Sequence, residues 1–310
     1  MKLDAHAFSL RQLQYAVAVA DALSFRRAAE RCHVSQPALS AQLALLEGAL
    51  GVRLFERDRR HVVLTPAGTL VVERARALLR DADDLVGLAT RAGDPLAGTL
   101  RVGVIPTLSP YLLPEIAPAL RARFPRLTLL WSEDKTASLV AQLDRGDLDA
   151  ALLAREAALG DVEGEPIARD AFLLALPPRH PLATAREPLT PKALRDEPVL
   201  LLDDGHCFRD QALSFCERAR AQELEFRATS LSTLSQMVAS GAGVTLLPEV
   251  AARSEAARAK LKLRRFAAPE PGRTVALVWR KRSALAPSLR KVAEVLRAAY
   301  PAKALGKRPR

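Results

Sequence analysis

Cys207 and Cys216 are two of only three cysteines in 310 residues, and they stand nine positions apart behind the acidic turn Asp203, Asp204, Gly205. Thiols can pair, bind a metal, react as nucleophiles or simply pack, and the local pattern bears on each role. With Phe208, Leu213 and Phe215 as apolar positions and no proline before Pro248, the segment after Gly205 reads as a helix. Residues nine apart on an unbroken helix are separated by about 13.5 Å along the axis and roughly 180° around it. A disulfide needs Cα atoms within about 7 Å, so the pair either never bonds or refolds the segment when it does.

Spacing alone leaves these readings open. In one, both thiols are small buried hydrophobes. In another, Cys207 is a sensor thiol, because a helix N-terminus favours a thiolate and His206 and Arg209 flank it. A metal held by His206, Cys207 and Cys216 is a third arrangement. No second C-x-x-C or H-x-x-x-H accompanies those residues, so no metal site is expected.

The words DDGHCFRDQALSFC, FRATSLSTLSQMVASGAGVTLLP and VIPTLSPYLLP resemble the regulatory domain of the hydrogen-peroxide-sensing branch of the LysR-type transcriptional regulators. The likeness runs from about Ser9 to Tyr300, and GHCFRDQ with a second cysteine nine residues on is its most specific part. The resemblance implies a reversible disulfide, with Cys207 peroxidatic and Cys216 resolving. It also implies a peroxide surrounded by Thr107, Thr136, His206 and Asp210, with Arg273 a basic group near the thiol. Hydroxyls can orient a small oxidant, and His206 and Asp210 can polarise it or protonate the leaving hydroxide. Further implications are a homo-oligomer built as a dimer of dimers, double-stranded promoter DNA and RNA polymerase as partners, thiol reductants for reset, no cofactor, and no enzymatic turnover. Some family members carry a histidine where Glu225 stands here. The alternative is a regulator of the same family whose cleft binds an ordinary small-molecule effector.

These residues need elements to hold them, and the chain supplies three kinds. Residues 1–65 read as a winged helix-turn-helix. A first helix, Leu10 to Ala22, carries Leu13, Val17 and Ala20 on one face, and a second opens near Ser24 with Phe25, Ala28 and Ala29. Ser35 is the expected N-cap of a third, with Pro37 in its first turn. Leu39, Leu43 and Leu46 then point inward, leaving Gln36, Ser40 and Gln42 outward. Short polar side chains at a helix N-terminus suit a major groove, where Gln pairs with adenine and Ser reaches bases or phosphates. The run FRRAAERCHVSQPALSAQLALLE is similar to the DNA-binding domain of the LysR type. Arg57, Arg59, Arg60 and His61 fall near the tip of a wing, where basic groups contact phosphate or the minor groove. Cys32 is expected to pack in the core of this head.

Residues 66–93 read as a long linker helix that starts at Thr65-Pro66. Val71, Ala75, Leu78, Ala82, Leu85 and Ala89 form a heptad seam, which calls for a partner, most simply a second copy. Gly93-Asp94-Pro95 ends it. Residues 98–302 follow a β-α-β-α pattern with strands expected at 100–105, 127–131, 149–154, 172–176, 199–202, 226–229, 244–247 and 274–279. The fold class is α/β: a periplasmic-binding-protein-like regulatory domain of two subdomains, about 98–169 with 274–302, and 170–273. Its ligand cleft is expected beyond the carboxyl ends of the strands.

Composition sets the remaining bounds. The net charge is +11, yet residues 253–310 alone carry +14, which leaves −3 over residues 1–252. The excess therefore lies away from the DNA-binding head, on a solvated face and a basic tail at 303–310. No apolar run approaches the roughly 20 residues of a membrane span, and MKLDAHAFSLRQL lacks a signal-peptide core. A cytoplasmic address follows, where a cysteine pair is more often regulatory than structural.

Overall fold

Three serines start the first three helices. Ser9, Ser24 and Ser35 are extended residues whose hydroxyls accept from the backbone N–H of Gln12, Arg27 and Ala38. Each satisfies a first-turn donor that has no partner within its helix, worth about 1 kcal/mol. The helices are α1 (Leu10–Ala22), α2 (Phe25–Arg31) and α3 (Gln36–Leu50). Leu13, Ala16, Val19, Ala28, Leu39, Leu43 and Leu46 meet in their shared core. A hairpin of β1 (Phe55–Arg57) and β2 (Val62–Leu64) follows. The Thr65 hydroxyl then accepts from Gly68 N–H and starts α4 (Pro66–Thr90). Gly68 lets α4 lie against the hairpin, since a Cβ there would stand 2.0 Å from the Leu54 carbonyl oxygen.

The computed structural model describes residues 7–57, 62–90, 96–184 and 188–301. It divides into two units, Met1–Thr90 and Arg91–Arg310. In the first, the seam on α4 is split. Ala75 is buried in the head core, Val71 and Leu78 pack against it, and Arg76 pairs with Asp21 of α1. Leu70 and Leu85 stand 69% and 67% exposed. The start of the heptad pattern thus serves the head itself, and Leu85 presents an apolar side chain to solvent. The side chain of Ala89 and the expected helix end at 93–95 lie outside the described residues, as does the tail at 303–310.

In the second unit, parallel strands joined by helices build one lobe: β3 (Gly98–Val104), α5 (Ser109–Arg123), β4 (Leu127–Glu133), α6 (Thr136–Arg145) and β5 (Ala150–Ala154). Parallel neighbours need such crossovers, and β3 lies between β4 and β5. The second lobe contains β7 (Pro198–Leu202), α7 (Cys207–Ala219), β8 (Gln222–Ala228), α8 (Leu231–Ala239), β9 (Thr245–Pro248), α9 (Glu249–Ala259) and β10 (Lys262–Arg264). Two long strands run through both lobes, β6 (Val162–Leu176) and β11 (Gly272–Arg280), paired antiparallel from Gly272 with Ala171 to Arg280 with Val162. The order is β10-β6-β11-β5-β3-β4, with β9 also on β6, and β7-β8 apart. A final helix, α10 (Ala286–Ala299), covers the first lobe. Each lobe has its own hydrophobic cluster. No helix among the described residues is long and apolar enough to cross a membrane.

Three elements differ from the sequence reading, the short β10 being one of them. The strand expected at 172–176 is only the end of β6. Its first half alternates charged and small residues around Pro166, a pattern that argues against a strand. The ladder shifts register there, with Ala168 opposite Val275 and Pro166 opposite Ala276, so a bulge accommodates the proline. Helix α9 was not expected, because its sequence EVAARSEAARA buries mainly alanines and lacks a stripe of large apolar residues.

Candidate redox site

The buried run Val199–Leu202 ends β7, and Gly205, at φ +85°, turns the chain into α7. Cys207 is the first residue of that helix, 8% exposed, and both it and Cys216 are free thiols. Their packing differs. Cys207 belongs to the hydrophobic cluster of the first lobe, whereas Phe208, Phe215 and Cys216 belong to that of the second. The helix therefore hands its N-terminal thiol across to the other lobe.

A narrow crevice, closed to a water-sized sphere, meets Cys207 and is lined by Ile105, Pro106, Thr107, Lys135, Thr136, His206 and Phe208. Thr107 and Thr136 come from the first lobe, after β3 and at the start of α6, and His206 and Cys207 from the second. Thr136 Oγ1 and His206 Nε2 are buried with no hydrogen-bond partner. Buried polar atoms are normally paired, so these two are suited to a small molecule that both donates and accepts. Burial, and next the Lys135 ammonium, hold His206 below the usual imidazole value, with Asp203 opposing. Its imidazole is thus neutral at pH 7.

Arg273 lies behind the crevice rather than in it. Its Nη1 donates to Thr107 Oγ1 at 2.7 Å, its Nη2 to the Thr107 carbonyl at 3.3 Å, and its Nε to Asp170 at 3.0 Å. Both members of that ion pair are fully buried, and the guanidinium stands over the Phe208 ring at 5.6 Å. Thr107, the long strands β6 and β11, and the residue after Cys207 are thereby tied together.

Asp210 lies in the first turn of α7 but is exposed and does not line the crevice. Cys216 is 4% exposed. Burial pushes its thiol pKa up to about 12, with Glu223 and Glu217 adding to the effect. Two residues went unnoticed in the sequence. Gln211 follows Cys207 by four positions, hence shares its face of the helix, and both of its buried amide atoms lack partners. Lys135 reaches over from the first lobe, and its Nζ donates to the Asp204 carbonyl at 2.7 Å. The i+4 spacing could have flagged Gln211. Nothing local marks Lys135, whose partner is 69 residues away.

On the head, Ser35 caps α3 and is exposed, as are Gln36 and Pro37, while Ser40 is half-buried. Gln42 Oε1 accepts from Gln12 Nε2 at 3.1 Å, which orients its amide. The backbone of Arg57 closes β1. Its side chain, and Arg59, Arg60 and His61 entirely, lie outside the described residues. Cys32 is half-buried at the C-terminus of α2, packed against the head core, and burial raises its thiol pKa. Glu225 is exposed on β8.

Residues 10–69 match the bacterial regulatory helix-turn-helix proteins of the lysR family, and residues 93–301 match the LysR substrate binding domain. The chain is 45% identical over 291 residues to the DNA-binding transcriptional dual regulator OxyR of Escherichia coli (strain K12), covering 94% of this chain and 95% of that protein. A full-length OxyR variant from Pseudomonas aeruginosa superposes with a TM-score of 0.77 at 38% identity, covering 94% of this chain and 95% of that one. A hydrogen-peroxide-bound mutant of Corynebacterium glutamicum OxyR gives 0.67 at 33% identity, covering 97% of each. The chain belongs to the LysR family of DNA-binding transcription regulators, and within it to the OxyR branch.

Proposed function

We propose that this regulator detects hydrogen peroxide through Cys207 and Cys216 and controls oxidative-stress genes. The observation that carries the reading is the unlike setting of the two thiols: Cys207 at a helix N-terminus on a polar crevice, Cys216 nine residues on in the apolar core of the other lobe. The Cys207 sulfur attacks one peroxide oxygen, so an S–O bond forms as the O–O bond breaks. The thiol proton of Cys207 passes to the leaving oxygen, which departs as water. His206 and Thr136 hold the peroxide, and Thr107, fixed by Arg273, orients it. The resulting sulfenic acid is captured by Cys216, which releases a second water and leaves a disulfide. In sum, two thiols and one peroxide give one disulfide and two waters.

The family resemblance supports the rest of the assignment. Residues 1–65 bind duplex promoter DNA, residues 66–93 pair two copies, and residues 98–302 sense. The working form is a homo-oligomer, a dimer of dimers, that engages RNA polymerase in the cytoplasm and is reset by thiol reductants. Equimolar peroxide should remove two thiols per chain within seconds and yield a Cys207–Cys216 disulfide by mass spectrometry. Unchanged thiols would end this reading. A peroxidase would instead consume many equivalents when given a thioredoxin-type reductant.

A second reading, an ordinary effector, draws on the larger cleft beside the crevice. It holds about 200 Å³ and is lined by Tyr111, Ser232, Glu255 and Arg258 among others. An effector acting there would change DNA binding in a protein with both cysteines replaced by serine.

A further inference from the structure

We infer that the side-chain stem of Lys135 sets the size of peroxide that can reach Cys207, making it a specificity-determining residue. This rests on the sensor reading above. Lys135 stands where α6 begins, on the first lobe, and its backbone N–H donates to Asp134 Oδ1 at 2.8 Å. The side chain then crosses to the second lobe. A Cβ built on Gly205 would lie 3.1 Å from Lys135 Cδ and 3.8 Å from Cε, so the stem rests on the glycine backbone. Its ammonium is anchored beyond, at 2.7 Å from the Asp204 carbonyl and 3.9 Å from Asp203 Oδ2.

The stem is therefore held by Gly205 along its length and by Asp204 at its tip, and Lys135 lines the crevice that contains Cys207, Thr107, Thr136 and His206. Gly205 has a left-handed φ of +85°, which disfavours any side chain there and keeps the contact close. Its side chain stays 42% exposed on the outer side. On the inner side Lys135 joins the two lobes and lines a crevice beside Cys207 that is closed to a water-sized sphere, so a small change in the stem decides what enters. Hydrogen peroxide has two heavy atoms and two hydrogens to bond. An organic hydroperoxide brings the same O–O bond with a carbon skeleton that must pass the same stem.

The experiment uses the full-length chain with Cys216→Ser, so that oxidation stops at Cys207 and is read as a trapped sulfenic acid. In the step measured, Cys207 thiol and ROOH give Cys207 sulfenic acid and ROH, with R either hydrogen or an organic group. Second-order rate constants are compared for hydrogen peroxide, tert-butyl hydroperoxide and cumene hydroperoxide. Lys135→Ala removes stem and charge; Lys135→Met keeps the stem and removes the charge. Exclusion of one methylene is worth roughly 10–200-fold, so Lys135→Ala should narrow the preference for hydrogen peroxide over cumene hydroperoxide by at least about tenfold. Lys135→Met keeps the stem on Gly205 but loses the anchor at the Asp204 carbonyl, so its preference should fall between those of the parent and Lys135→Ala. Equal scaling of all three rates in Lys135→Ala would overturn the inference, as would an equal loss of preference in Lys135→Met. If Cys207 of the parent is inert to hydrogen peroxide, the sensor reading itself fails.

Discussion

Burial of Cys216 and its acidic neighbours Glu223 and Glu217 keep its thiol protonated, with a pKa pushed up to about 12. Burial penalises the charged form, so the thiolate is disfavoured while α7 is folded. Once the helix opens, the thiol regains a value of about 8.5. The rate at which Cys216 captures the sulfenic acid should therefore rise with pH and level off near that ordinary thiol value. Stopped-flow closure rates between pH 6 and 10 check this, and a rise continuing past pH 10 would mean that Cys216 reacts inside the folded helix. The same setting has a stability consequence. The raised folded pKa contributes stability that is fully present below the unfolded thiol value, and it is lost as pH climbs from there towards 12. Arg273 offers a second prediction. Replacing it with Leu leaves the fully buried Asp170 without its ion-pair partner and with only backbone donors such as the Val250 N–H, which costs up to about 3–5 kcal/mol and should appear as a lower urea midpoint. Spacing singled out the cysteine pair, and the family resemblance named Thr107, Thr136 and His206, which line one crevice with Cys207. Lys135 and the exposure of Asp210 were not, because both depend on how the second lobe meets the first.

At the scale of elements, α7 has two stable contacts to give up before its thiols can meet. Phe208 packs edge-on against Phe172, and Phe215 against Phe266, each at 5.0 Å between ring centres. Releasing such a side chain costs about 1.5–3 kcal/mol if it ends exposed. The N-terminal turn is further held by Arg209, which bonds Asp204 and Glu223. The disulfide must offset these losses, raising its reduction potential by about 30 mV for each 1.4 kcal/mol. Oxidation should therefore abolish amide-exchange protection over residues 205–220, and Phe208→Ala, by weakening the folded helix, should lower the potential of the bond. Retained protection in the oxidised protein would sink the refolding model. Much of this element was readable in advance, since α7 obeys the apolar spacing that predicts it. The first half of β6 and all of α9 were not. Pro166 hides the former, which exists because β11 offers it a ladder, and α9 owes its place to alanines packed under β9 and β6 rather than to a large apolar stripe.

At the scale of the whole molecule, residues 1–65 carry a net +3, nine Lys and Arg against six acids, so affinity for DNA draws on a few placed side chains and, in the proposed oligomer, on two heads acting together. Ala75, Val71 and Leu78 of α4 are committed to the head core. Exposed Leu70 and Leu85 are the apolar side chains of α4 that the proposed pairing of two copies would cover. Leu85→Asp should accordingly shift sedimentation towards smaller species while leaving the head folded. Paired heads read inverted half-sites about one helical turn, or a multiple, apart. Gln36→Ala and Ser40→Ala should reduce preference for the specific site more than total binding, because their side chains stand at the exposed or half-buried N-terminal end of α3. Arg59→Ala should weaken all sequences alike and flatten the salt slope, as loss of a phosphate contact does. The redox state should then be read out in length rather than in affinity. Unwinding of α7 exposes or repacks surface on the regulatory lobes, and a symmetric assembly converts such a change into a new spacing of its members. Reduced and oxidised proteins should both protect DNA but over different lengths, and identical footprints from the two states would defeat this account of how one disulfide acts at a distance.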